Sequence, residues 1–451
     1  MMLNNETIRG AVKLWLEDKE SAIAEYGHIS DWDTSQVTDM SKLFLDANDF
    51  NDPIENWDTS NVTNMSAMFD NAITFNQPLD KWDTSQVTDM HEMFSTSNDS
   101  GYAFNQPIGN WNVSRVTNMQ GMFYNAGSFN QPIGNWNVSR VTNMYGMFYY
   151  AGSFNQPIGN WDTSKVKNMN YMFYMAKSFN QPIERWDVSN VSDMEFMFSF
   201  SSSFNQPLNN WDTSHVNVMD HMFSHALSFN QPLGNWNVSN VTSMQGMFSF
   251  TVDFNQPIGA WDVSNVTNMD GMFALAASFN QPLGQWNVSS VTNMSQMFGR
   301  SQNFNQPLSE WDVSNVTNMK QMFYHAESFN QPLSNWNLNG DCITEDFVIG
   351  TGIIDFPMKK NSNKKHSFDG WDRDFISEQI EDFDCIEDYD ENDKTLIMGL
   401  VFANVQFSEH PRIQEIGNLV ENNFSDFVEQ YEKCIKGEFD LPTELKEYIE
   451  V

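Results

Sequence analysis

Up to residue 336, eight aspartates each follow a tryptophan directly: Asp33, Asp58, Asp83, Asp162, Asp187, Asp212, Asp262 and Asp312. A regular row of carboxylates is what a ladder of calcium ions would need, because Ca²⁺ binds through several hard oxygens. Five further copies of the same position carry Asn112, Asn137, Asn237, Asn287 and Asn337. Exchange of Asp for Asn keeps the carbonyl acceptor and discards the charge. That pattern points to a local side-chain-to-backbone hydrogen bond and away from a metal. Met119 and Met122 could offer soft thioether ligands to copper, yet their spacing beside Phe123 reads as core packing. The Asn-Val-Ser and Asn-Val-Thr triplets match glycosylation acceptors and also follow from the repeat that generates them. Cys342, Cys385 and Cys434 form no disulfide framework. No nucleophile–base pair, phosphate loop or metal triad stands apart from the repeat. The expectation is a non-enzymatic chain without metal or cofactor.

The remaining chemistry is recognition. The position four residues after each tryptophan is variable, and its permanent cations are Arg115, Arg140 and Lys165 in three consecutive copies. In those copies the residue after Met-Phe is Tyr124, Tyr149 or Tyr174, with Tyr145, Tyr150 and Tyr171 nearby in sequence. Tyr and Arg are enriched where binding energy concentrates, and an exposed aromatic patch marks a contact surface. These nine residues are the expected protein-binding site. The competing reading has the tyrosines covering the core and the cations offsetting local acidity. Carbohydrate binding by the tyrosines is a variant of the first reading.

All these positions are placed by a 25-residue unit. Thirteen of the 15 tryptophans, from Trp32 to Trp336, occupy one column with a spacing of 25. The exception is the 29-residue step from Trp82 to Trp111, whose four extra residues fall in the polar stretch 95–102 and read as a loop. Such a unit cannot bury its apolar face alone, so stacked copies must share one core. Met119, Met122, Phe123 and Ala126 have helical spacing, and Trp111 and Val113 alternate as in a strand. Pro107 breaks any helix before the next turn. The expected fold is an α/β solenoid of leucine-rich-repeat type, with a short strand, a short helix and an extended return per coil.

Four segments are expected. Residues 1–28 form a helical cap, with Thr7 starting a helix that carries Ile8, Ala11, Val12, Trp15 and Leu16 on one face. Residues 29–349 hold about 13 repeats, closed by Leu338, Ile343, Phe347 and Ile349. Residues 350–370, with their split lysine run, read as a linker. Residues 371–451 read as a small acidic helical domain.

A formal charge of −36 disfavours nucleic acid and anionic membranes as partners. No basic stretch followed by an apolar run opens the chain, and no segment is long and apolar enough to span a bilayer. The expected location is cytoplasmic or virion-associated. The expected partner is a protein. The alternative is a structural component that associates with itself, as a coat, surface layer or virion part.

The motif Trp-Asp-Val-Ser-Asn-Val-Thr-Asn-Met, then Met-Phe, then Phe-Asn-Gln-Pro-Ile resembles the BspA-like leucine-rich-repeat family, in the 25-residue form of mycoplasma-type surface lipoproteins. The opening 11–15, 26–29 and 32–40 is similar as well, so the resemblance covers roughly residues 7–343. It implies a leucine-rich-repeat solenoid and a surface or adhesion role through protein contacts. It supplies no catalytic residues.

Overall fold

The computed structural model describes residues 2–97 and 101–353. They belong to a unit spanning Met1–Pro357. The expected linker from residue 354 onward and the expected helical domain 371–451 lie outside the described residues.

The chain opens with β1 (Met2–Asn4), α1 (Thr7–Glu17), α2 (Lys19–Tyr26), a 3₁₀ turn (Ile29–Asp31) and β2 (Asp33–Gln36). β1 pairs in parallel with β2, so the extreme N-terminus extends the edge of the first coil. The start of α1 is capped by Asn4 and not by Thr7. The Asn4 Oδ1 accepts from the Glu6 and Thr7 N–H groups at 3.0 Å each, which serves donors that no helical carbonyl reaches. Ile8, Ala11, Val12 and Trp15 are buried as their spacing requires, whereas Leu16 is exposed. Trp15 ties the cap to the repeats by donating to Asp52 at 2.8 Å, and Lys19 pairs with the same carboxylate at 2.7 Å.

Beyond β2 the coils differ from the sequence expectation in two respects. The parallel contact between coils does not run through Trp111–Val113. It lies about five residues later, at bridges such as Asn118↔Asn143 and Asn143↔Asn168. And residues 119–126 form turns in place of the expected short helix. Met119, Gly121, Phe123 and Asn125 donate their N–H groups to Asn143, Tyr145, Met147 and Tyr149 of the next coil, at 2.6–3.0 Å. Met122, Tyr124 and Ala126 donate three residues back, to Met119, Gly121 and Phe123. Helical spacing of the apolar side chains is satisfied by this winding of turns, because every third or fourth side chain still faces inward. A helix would keep all its donors within the coil. Here every second one is spent on the neighbouring coil.

The core is a set of columns with one residue per coil. Phe123, Phe148 and Phe173 stack at 5.6–5.7 Å, and each also faces a Phe of the return segment at 4.0 Å, such as Phe148 on Phe154. Trp111 and Trp136 stack at 6.5 Å with parallel rings. From Trp57 onward each indole N–H of the column reaches back one coil, as from Trp136 to the Ile108 carbonyl at 3.1 Å, so a large buried ring carries no orphan donor. The last described coil ends on Phe347, which is buried edge-on against Phe323 and Trp336, while Ile343 and Ile349 stay exposed.

Two polar columns complete the coil. The Asn of Phe-Asn-Gln-Pro forms an amide ladder: Asn130 Oδ1 accepts from the Asn155 N–H at 3.0 Å and the Gln156 amide at 2.9 Å. The residue after tryptophan makes the local bond its Asp/Asn exchange implied, as from the Ser164 N–H to Asp162 and the Ser139 N–H to Asn137. The insert is not wholly a surface loop. Its Tyr102 turns inward, is buried, and donates to the Phe69 carbonyl at 2.9 Å.

Removing one rung of the amide ladder tests its contribution. Asn155 Oδ1 serves the Asn180 N–H at 3.0 Å and the Gln181 amide at 2.9 Å. Asn155→Ala is expected to cost about 1–3 kcal/mol by leaving both donors unpaired. Asn155→Asp keeps the acceptor and is expected to cost less. Equal losses in a denaturant titration would count against the ladder.

Candidate interaction surface

The turn segment 119–126 forces two residues per coil into the left-handed region. One column holds Gly121 and Gly146 and then Tyr171, Phe196 and His221; the other holds Asn125, Tyr150, Met175, Phe200, His225 and Phe250. Glycine takes this conformation without cost, but a bulky side chain there is strained by about 1–2 kcal/mol. The strain is held by the coil-to-coil bonds, Tyr150 N–H to the Tyr174 carbonyl at 2.7 Å and Tyr171 N–H to the Glu195 carbonyl at 3.0 Å. Because the conformation repeats at 25-residue steps, these side chains lie over one another.

The result is a continuous aromatic face. Tyr124 and Tyr149 stack at 4.3 Å, and Tyr149 and Tyr174 at 4.7 Å. Tyr145 meets Tyr171 at 5.6 Å, Tyr150 meets Tyr149 at 4.8 Å, and Tyr171 stacks on Phe196 at 4.8 Å. Tyr145 is exposed, and Tyr124, Tyr149, Tyr150, Tyr171 and Phe196 are half-buried. Tyr174 and Phe200 are buried beneath them, at 9% and 3% exposure. The face is therefore accessible over the first coils and becomes a second small core further along. There His225 lies between Phe200 and Phe250 at 4.1 Å from each.

Arg115, Arg140 and Lys165 are exposed but do not join this face. Arg115 bonds the Gln86 amide oxygen of the preceding coil at 2.6 Å, and the Lys165 charge acts on Asp162. Among the described residues none of the three makes a hydrogen bond, ion pair or ring contact with the tyrosines. The structure thus brings the six expected tyrosines together and leaves the three cations apart. The aromatic continuation through His221, His225 and Phe250 escaped the sequence reading. Its signal was present: these residues stand 25-residue steps from Tyr171 and Tyr150.

Burial is the main cause that raises the Tyr145 and Tyr149 hydroxyls above the usual tyrosine range. The Glu195 charge adds to it at Tyr145, and Tyr124 and Tyr174 add to it at Tyr149. Burial, with His221 nearby, holds the His225 imidazole down at about 3. Among the described residues no three His, Cys, Asp or Glu are set to hold a metal, and no helix is long and apolar enough to cross a membrane.

Fold and surface together define a repeat protein, with fixed columns inside and one face of variable aromatic columns outside. The model of the family described as mycoplasma proteins of unknown function, DUF285, matches residues 17–100, 99–208, 154–258, 181–281 and 249–348, and the chain belongs to this family. No curated protein and no solved structure matches the chain.

Two titrations probe the face. The unfolded chain protonates His225 near pH ~6.5, but the fold resists this down to about 3. His225 thus supports folding above pH ~6.5, and the support is lost as pH falls toward 3, at up to ~1.4 kcal/mol per pH unit. His225→Phe, which copies its neighbours, is expected to flatten the stability profile between pH 7 and 4; a uniform offset of the two profiles would refute this. Tyr149 behaves in the opposite sense, since its raised pKa supports folding below pH ~10 and the support is lost above it. Tyr149→Phe is expected to blunt alkaline unfolding followed by tyrosinate absorbance.

Proposed function

We propose that this protein is a non-enzymatic, protein-binding repeat scaffold whose contact is the aromatic face of Tyr124, Tyr145, Tyr149, Tyr150, Tyr171 and Phe196. The observation that carries the reading is the run of half-exposed rings packed across neighbouring coils. Tyrosine offers large, rigid contact area with little rotamer entropy to lose, and stacking on the neighbouring coil restricts these rings before any partner arrives. Such preorganisation lowers the cost of association.

The fold reading belongs to the proposal: a solenoid of leucine-rich-repeat type, akin to the BspA-like proteins, in which constant columns build the core and variable columns build the contact. A surface or adhesion role is the form that this kinship favours.

Affinity capture with the full chain, beside a Tyr145→Ala/Tyr149→Ala variant, tests the assignment. The expected result is a protein partner held by the native chain and depleted at least about tenfold with the variant, the effect of losing a contact hot spot. Equal capture by both would sink the assignment. Capture of the chain by itself alone would favour the structural, self-assembling reading, and a glycan in place of a protein would favour the carbohydrate variant.

A further inference from the structure

The aromatic face carries an acceptor-bearing column that no described residue complements. Tyr145, Asn170, Glu195 and Asp220 occupy one column at 25-residue steps, in four consecutive coils. Tyr145 rests on Tyr171, whose N–H bonds the Glu195 carbonyl, so the carboxylate-bearing residue follows the exposed rings directly along the coils. Glu195 makes no ion pair among the described residues. In the same column, the half-buried Asn170 has a side-chain oxygen, Oδ1, without a hydrogen-bond partner among the described residues. Unpartnered buried acceptors are costly, so each calls for an explanation.

We propose that this face docks an arginine side chain presented by a basic segment of a partner protein. The proposal rests on the contact-face reading above and names the chemistry of its occupant. The exposed Tyr145 with its half-buried neighbours, a carboxylate and the unpartnered Asn170 oxygen form a set that favours donors and positive charge. Arginine brings five N–H donors and no acceptor, and its flat cation stacks on aromatic rings while bonding a carboxylate. Lysine has the charge but neither the plane nor the fork. The whole-chain charge of −36 draws a basic partner by long-range attraction. Crowding at the lobe agrees: burial first, then repulsion by Asp193 and Asp220, raises the Glu195 carboxyl above its ordinary range.

The test uses the full chain and two labelled peptides, one arginine-rich and one with every arginine replaced by lysine, with binding read by fluorescence anisotropy. The arginine peptide is expected to bind at least about tenfold tighter than the lysine peptide, with Glu195→Gln removing most of that preference. Asp262→Asn is the control for net charge, since asparagine already fills its column at Asn237 and keeps the bond from the Ser264 N–H. It is expected to leave binding unchanged. Equal binding of both peptides, or a Glu195→Gln chain that behaves as the native one, would overturn the proposal in favour of diffuse attraction to an acidic surface. If Tyr145→Ala/Tyr149→Ala abolishes partner capture while no arginine preference exists, the contact face stands and the arginine assignment falls. If that variant alters neither, both fall.

Discussion

Every coil spends backbone donors on its neighbour, and the rest of the molecule follows from that. A coil of 25 residues with one bridge such as Asn118↔Asn143 has too little regular structure to satisfy its own peptide groups. Buried N–H groups must still find carbonyls. The solution is a register in which Met119, Gly121, Phe123 and Asn125 all donate one coil onward. The amide ladder repeats the solution on the return segment, where Asn105 receives both the Asn130 N–H and the Gln131 amide. Since each bond spans a fixed step of 24–26 residues, insertion of a single residue would break the register of all of them at once. The chain tolerates four extra residues between Trp82 and Trp111 because Tyr102 is drawn back into the core and bonds Phe69 there.

The same register explains why the variable columns are aromatic and strained. Alternating donors in 119–126 require a left-handed residue at every fourth position, and side chains there project from the turns in line with those of adjacent coils. Aromatic rings exploit this alignment by stacking, as Tyr171, Phe196 and His221 do at 4.6–4.8 Å. Stacking and burial offset the conformational cost that glycine avoids at Gly121 and Gly146. A face selected purely for stability would carry glycine throughout. Most coils depart from that economy, as at Lys42, Ala67, Gln296 and Gln321, and between the fourth and sixth coils the residues placed there include Tyr150 and Tyr171.

Charge enters on a different part of the coil. The exposed aspartates after tryptophan accept from serine N–H groups, as Asp162 does from the Ser164 N–H and hydroxyl, and those bonds hold the Asp162 carboxyl below the usual range. Their side-chain oxygens are thus engaged in local bonds within the repeat. Glu195 differs, because its carboxylate has no such local donor and sits where the rings are. The proposed contact and the regular row of aspartates thus stand in different columns of one repeat.

The repeat, its period, the core columns of Trp, Val, Met and Phe, the amide ladder and the Asx bonds are all legible in the sequence, because each is a relation between residues at fixed spacing. The N-terminal helix was legible from its apolar face. Which element the helical spacing encodes was not: a turn winding and a helix bury the same side chains, and only the partner of each N–H tells them apart. The separation of Arg115, Arg140 and Lys165 from the tyrosines was hidden for a related reason. Sequence places two columns in the same coils but leaves their directions undetermined, and the backbone conformation alone sets which way each side chain leaves the coil. The sequence by itself therefore determined what repeats and what varies; the tertiary structure decided which variable residues meet, since that depends on hydrogen bonds made between coils.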